Sequence, residues 1–214
     1  MKKGYFISFE GIDGSGKSTQ IKKLQKYLEN EGYQVVLTRE PGGTDIGEKI
    51  RKIILNPSHG EMTHMTEVFL YAASRAQHVE QVIKPAVENG KIVICDRFVD
   101  SSIAYQGYGR QLGECVGIIN QYAVAGYMPD MTFLMKAAPD IGNDRIKNRQ
   151  KDRIEMENSD FHRRVYMGYE ELEKLFPDRI ICIDATQSIN DIEQSIIRHI
   201  RALIGGCGEE TQGI

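Results

Sequence analysis

The sequence predicts an α/β fold, a doubly wound parallel sheet with helices on both faces. Three observations predict it. Five short runs rich in β-branched and aromatic residues recur along the chain: Tyr5–Glu10, Tyr33–Thr38, Lys91–Asp96, Met131–Lys136 and Ile180–Asp184. Several are apolar at nearly every position, as strands covered on both faces must be. Helical patterns separate them, and strands alternating with helices build a parallel sheet through right-handed crossovers.

The helices follow in order. Ile21, Leu24 and Leu28 form one apolar stripe, with Lys22, Lys23 and Lys26 facing out and Gly32 placed as a stop. Glu67–Val82 is apolar nearly all round, which predicts a buried helix. Phe161, Val165, Tyr169, Leu172 and Leu175 form another stripe. Ile189, Ile192, Ile196, Ile200 and Leu203 form the last, entered through Ser188 as N-cap. Charge is densest from Asp144 to Asp160, a stretch expected to be exposed and mobile. Residues 1–205 read as a single domain and 206–214 as a flexible tail.

The charge balance, 27 basic against 30 acidic residues for a net of −3, argues against nucleic-acid or membrane-surface binding. No apolar run is long enough to span a bilayer, and the start lacks a signal-peptide h-region. Cys95, Cys115, Cys182 and Cys207 show no C-x-x-C pair. Cys95 and Cys182 sit in strand-like runs, where a thiol acts as a small hydrophobe. A reduced, cytoplasmic setting follows.

The strongest chemical signal is Gly11-Ile12-Asp13-Gly14-Ser15-Gly16-Lys17-Ser18, followed by Thr19. It fits G-x-x-x-x-G-K-[ST] between a strand and an amphipathic helix. Such a loop turns backbone N–H groups onto an anion, and the helix N-terminus adds its dipole. Lys17 is placed for the β- and γ-phosphates of a nucleotide, and the Ser18 hydroxyl for Mg²⁺. Asp96, at the end of the third run, is a second Mg²⁺ candidate.

A second group of residues suits an acceptor. Arg75 interrupts the apolar helix, and a buried Arg needs a partner, either a protein carboxylate or a ligand. Tyr71 shares its face at i, i+4, so a ring lies beside a guanidinium, as a base beside a phosphate requires. Arg39 opens the Thr38–Thr44 loop on the rim that holds the phosphate loop. Asp100–Gly107 supplies hydroxyls and an amide that suit a base edge.

Together GIDGSGKST, TREPGGT, LYAASRAQH, DRFVDSSIAYQG and DRIE resemble the thymidylate kinase family in content and order. The resemblance implies a P-loop fold of five parallel strands with a mobile LID at about residues 145–158. It implies transfer of the γ-phosphoryl group of ATP to dTMP, giving dTDP and ADP for dTTP biosynthesis. Asp13 would sit near the acceptor phosphate and the metal, with Arg39 and Arg97 holding that phosphate. Tyr71 would stack on thymine and Arg75 would bond its edge. Ser102, Tyr105 and Gln106 would complete the pocket, Tyr105 crowding a ribose 2′-hydroxyl. A homodimer through packed helices is also implied. Gly14 stands where eukaryotic-type relatives carry an arginine. Arg145, Arg149 and Arg153 therefore become candidates, as in the bacterial type, with Arg149 and Arg153 favoured as catalytic.

Other readings are a different nucleoside monophosphate or deoxynucleoside kinase, a GTP-driven switch, and a nucleotide-dependent binding module. The chain has no N-K-x-D motif for reading guanine.

Overall fold

The computed structural model describes residues 4–137 and 151–205. Arg145, Arg149 and the 206–214 tail lie outside them. β1 (Tyr5–Glu10) leads through the phosphate loop into α1 (Lys17–Asn30), followed by β2 (Val35–Arg39), α2 (Asp45–Leu55) and α3 (His64–His78). A π-helical turn, Val79–Ile83, carries α3 into α4 (Lys84–Glu88). Then come β3 (Ile92–Asp96), the short α5 (Val99–Ser102) with a π-helical extension Ile103–Gly109, and α6 (Cys115–Val124). β4 (Met131–Lys136), α7 (Ser159–Leu175), β5 (Ile180–Asp184) and α8 (Ile189–Gly205) follow.

All strand pairs are parallel, in the order β2-β3-β1-β4-β5. β1 is central and buried at every position. Its alternation divides the core. Tyr5, Ile7 and Phe9 pack on Ile21, Leu24 and Leu28 of α1 and on Ile192, Ile196 and Ile200 of α8. Phe6 packs in the opposite layer with Val79, Ile83 and Phe98. From β1 the chain crosses β3 to reach β2, and from β3 it crosses β1 to reach β4. The connections thus diverge between β1 and β3, which puts the ligand crevice at the carboxyl ends of these strands.

Helix ends follow the chemistry of their caps. Thr44 Oγ1 accepts from Gly47 N at 2.9 Å, and Asn158 Oδ1 accepts from Phe161 N at 2.9 Å. Ser188 Oγ accepts from Asp191 N at 3.2 Å, so it does cap α8.

Three expectations are corrected. α3 is not buried all round: Phe69 is 56% exposed, and Ala73 and Ala76 on the same stripe face solvent. The charged stretch is not wholly exposed: Arg153, Ile154 and Glu155 are buried, with Ile154 in the cluster around Phe161 and Val165. A single apolar residue flanked by ions that find partners anchors that end. Cys182 is exposed, because β5 is an edge strand.

Candidate active site

The phosphate loop leaves β1 through Gly11, whose φ is 128°. A Cβ there would lie 2.5 Å from Met135 O, so both the conformation and the approach to β4 need glycine. Gly16, at φ 93°, turns the loop into α1. No acidic residue occupies the first turn of α1, so its positive end is uncompensated there. Lys17 Nζ donates to Gly11 O and Ile12 O, both at 2.9 Å. Burial and then the charge of Arg97 lower its pKa to about 8.

A cavity of about 700 Å³ lies beside this loop. Gly14, Gly16, Lys17, Ser18 and Thr19 line one end, with Asp13 and Asp96. Arg39, Tyr71, Arg75, Arg97, Ser102, Tyr105 and Gln106 line the rest. Most of the expected site residues, drawn from separate loops, therefore share one crevice. Gly11, Ile12 and Ser15 form the back of the cradle and do not line it.

Arg97 stands at the junction. Its Nη2 donates to Asp13 Oδ1 at 2.9 Å, and its Nη1 to Ser101 Oγ and Tyr169 OH, each at 3.2 Å. Its guanidinium lies 5.2 Å from the centre of the Tyr105 ring. Behind it is Glu10, which the sequence reading missed. Glu10 accepts from Phe98 N at 2.7 Å, Ser101 Oγ at 2.6 Å and Tyr169 OH at 3.0 Å. Burial, then the nearby Asp100 charge, raise its pKa to about 7, against the pull of Ser101, Arg97 and Phe98 N–H.

Arg75 is 1% exposed and has protein partners. It donates Nε to Glu40 Oε2 at 2.8 Å, Nη1 to Ser102 Oγ at 3.0 Å and to Asn120 Oδ1, and Nη2 to Phe98 O at 3.1 Å. Glu40 Oε1 is also 2.9 Å from His78 Nδ1. The buried charge is met by a carboxylate from the Thr38–Thr44 loop, and its burial alone does not require a ligand. In sequence, Glu40 had looked like part of a turn.

Arg153 does not line the cavity. It donates Nε to Ile54 O and Nη2 to Glu67 Oε2, both at 2.7 Å. In this structure it is tied to a fully buried carboxylate and away from the cavity, so its meeting the transferred phosphoryl group stays an expectation. Arg51 is a further residue missed in sequence. It lines the cavity, donates to Pro41 O at 2.9 Å, and has its pKa lowered by burial and then by Arg39. Nothing in the pattern of α2 separates Arg51 from Lys49 and Lys52. Arg39 Nη2 donates to Glu48 Oε2 at 3.0 Å and the same carboxylate acts on Arg51, so a protein anion already stands between two arginines that line the cavity.

A phosphate loop at the switch point of a parallel sheet, facing a second cationic pocket across one crevice, is the arrangement of a P-loop kinase. The comparisons narrow this. The sequence profile of the thymidylate kinase family matches residues 9–196. The thymidylate kinase of Exiguobacterium sp. is 53% identical over 196 residues, covering 91% of this chain and 92% of that protein. That of Geobacillus sp. is 49% identical over 208 residues, covering 95% and 99%. The crystal structure of thymidylate kinase from Ehrlichia chaffeensis superposes with a TM-score of 0.76 at 35% identity, covering 93% of this chain and 99% of that one. The chain belongs to the thymidylate kinase family.

Proposed function

We infer that the protein transfers the γ-phosphoryl group of ATP to dTMP, releasing dTDP and ADP. The observation that carries this reading is the Asp13–Arg97 pair, at 2.9 Å, where the donor cradle and the acceptor pocket open into one cavity. A group moving between two anions must cross a short gap lined by cations, because repulsion between donor and acceptor is the main obstacle.

On the donor side the phosphate loop and Lys17 hold the β- and γ-phosphates. Lys17 exchanges its two carbonyl acceptors for phosphate oxygens. On the acceptor side Arg39, Arg51 and Arg97 hold the dTMP phosphate, and Asp13 orients Arg97. Tyr71 stacks on the base, Tyr105 closes over the sugar, and Arg75 with Ser102 borders the base edge. The attacking phosphate oxygen is already ionised at neutral pH, so no general base is needed. Ser18 and Asp96 offer hard oxygen donors at the donor end of the cavity and fit Mg²⁺, which would draw charge from the phosphates when bound. The arginine that meets the moving group falls to Arg149 of the LID, since Arg153 is engaged with Glu67.

Gln106 favours thymine among bases. Its Nε2 donates to Glu67 Oε1 at 2.8 Å, and its Oε1 is buried without a partner among the described residues. A leftover acceptor beside the cavity suits the N3–H of thymine.

A homodimer is supported by exposed apolar side chains on neighbouring helices: Phe69 of α3, and Ile118 and Tyr122 of α6 at 58% and 82% exposure. Among the described residues no helix is long and apolar enough to cross a membrane, and Cys95, Cys115 and Cys182 are free thiols. Both support a cytoplasmic enzyme. An acceptor screen with ATP, reading ADP production across nucleoside monophosphates and deoxynucleosides, tests the assignment. dTMP should be used best. A preference for another acceptor would replace it, and ADP formation independent of acceptor would point to a nucleotide-driven binding module.

A further inference from the structure

Glu67 sits on α3 with no exposure to solvent. Its two oxygens accept four hydrogen bonds. Oε1 takes Gln106 Nε2 at 2.8 Å and Arg110 Nε at 3.2 Å. Oε2 takes Arg110 Nη2 at 3.0 Å and Arg153 Nη2 at 2.7 Å. Burial opposes its charge, but Arg110, Gln106 and Arg153 outweigh it and hold the carboxyl below its usual range. It is ionised at neutral pH and can only accept.

That fixes the amide of Gln106. The end facing Glu67 must be the N–H₂ group, because an amide oxygen there would meet a carboxylate oxygen. The oxygen is then the end turned away from Glu67: it is buried, belongs to a residue that lines the cavity, and has no partner among the described residues. We propose that Glu67 is a positioning residue for base selection: by accepting from Gln106 Nε2 it locks the amide so that the pocket presents an acceptor to the base. Thymine carries N–H at its ring position 3 and matches. Cytosine carries a bare ring nitrogen there and sets acceptor against acceptor. This rests on the reading of Gln106 as a base contact. A site built to bond one ring hydrogen rejects an analogue without it far more strongly than apolar packing can.

The test measures Kd by calorimetry for dTMP and for 5-methyl-dCMP, which keeps the methyl group and changes the ring edge. In Glu67→Gln the partner amide can donate or accept, so Gln106 can turn over. The preference for dTMP should shrink by on the order of 10-fold or more. Glu67→Asp keeps an acceptor-only partner and should keep the wild-type ratio even if the protein loses stability. Gln106→Leu should also shrink the ratio. A wild-type ratio in Glu67→Gln, with Gln106→Leu impaired, overturns the role of Glu67. A wild-type ratio in Gln106→Leu overturns the reading beneath it. Should Glu67→Gln fail to fold, a structure of wild type with dTMP at about 1 Å resolution decides the amide orientation. Gln106 Oε1 toward the base supports the proposal, and Nε2 toward the base overturns it.

Discussion

Arg97 reaches the Asp13 carboxylate at 2.9 Å from a backbone φ of 69°, a left-handed conformation rare outside glycine. Such a conformation costs of order 1 kcal/mol and persists where surrounding contacts over-determine it. Here Arg97 N bonds Phe9 O at 2.9 Å and Glu10 holds Phe98 N. Arg97→Ala should lower kcat/KM for dTMP by about 10²- to 10³-fold, as loss of a preorganised charge in a water-poor site does. The Kd for ATP should change far less. Steady-state kinetics with each substrate varied checks this, and an equal loss for both nucleotides would make Arg97 a general scaffold residue.

Arg153 and Arg149 should separate by what their loss affects. Arg153→Ala removes a buried partner of Glu67, which keeps Arg110, so destabilisation of about 2 kcal/mol is expected rather than the full cost of an orphaned charge. Arg149→Ala should leave stability unchanged and lower kcat by on the order of 10³-fold, because its contact forms mainly in the transition state. Urea unfolding together with kcat decides. A stable Arg153→Ala with collapsed kcat would return the catalytic role to Arg153.

The strands, α1, α8 and the phosphate loop were legible because each is a local signal: β-branched runs, a 3.6-residue stripe, glycines at set spacing. The remainder depended on partners distant in sequence. Arg75 announced itself as a charge in an apolar helix, yet its partner Glu40 lies 35 residues away in a segment that reads as a turn. The α2 helix was missed because Thr44, its N-cap, belongs to the same loop motif. Glu10 was read as a strand end, and only the folded chain shows three donors converging on it. The outward face of α3 could not be told from a buried one, since the exposed Phe69, Ala73 and Ala76 have the same apolar character as the stripe that packs in the core.

Lys17 should take up a proton when nucleotide binds above neutral pH. Its pKa of about 8 is depressed by burial and by Arg97. Phosphate oxygens favour the ammonium and push the value back up. At pH 8.5 about three-quarters of the lysine is neutral before binding, so uptake on the order of half a proton or more is expected. Calorimetry of ADP binding in two buffers of different ionisation enthalpy measures it directly. Zero uptake at pH 8.5 would mean that Lys17 is already fully charged in the free protein.

Glu10 should make stability fall as pH rises through neutrality. Its carboxyl is raised from an ordinary 4.5 to about 7 in the fold, so between those values the folded chain holds a proton that the unfolded chain has released. Stability rises with pH only where the unfolded state binds more protons, and here the sign is the reverse. The contribution is full below about pH 4.5 and lost as pH passes 7, a span worth about 3 kcal/mol. Glu10→Gln keeps an acceptor oxygen for Phe98 N–H while removing the titration. Denaturant unfolding of both proteins at pH 5, 6, 7 and 8 isolates the effect, since other groups cancel in the difference. Wild type should lose about 2–3 kcal/mol relative to Glu10→Gln from pH 5 to pH 8. A flat difference would show that the Ser101, Tyr169 and Phe98 donors keep Glu10 ionised throughout, and Glu10 would then anchor the Arg97 turn as a permanent anion.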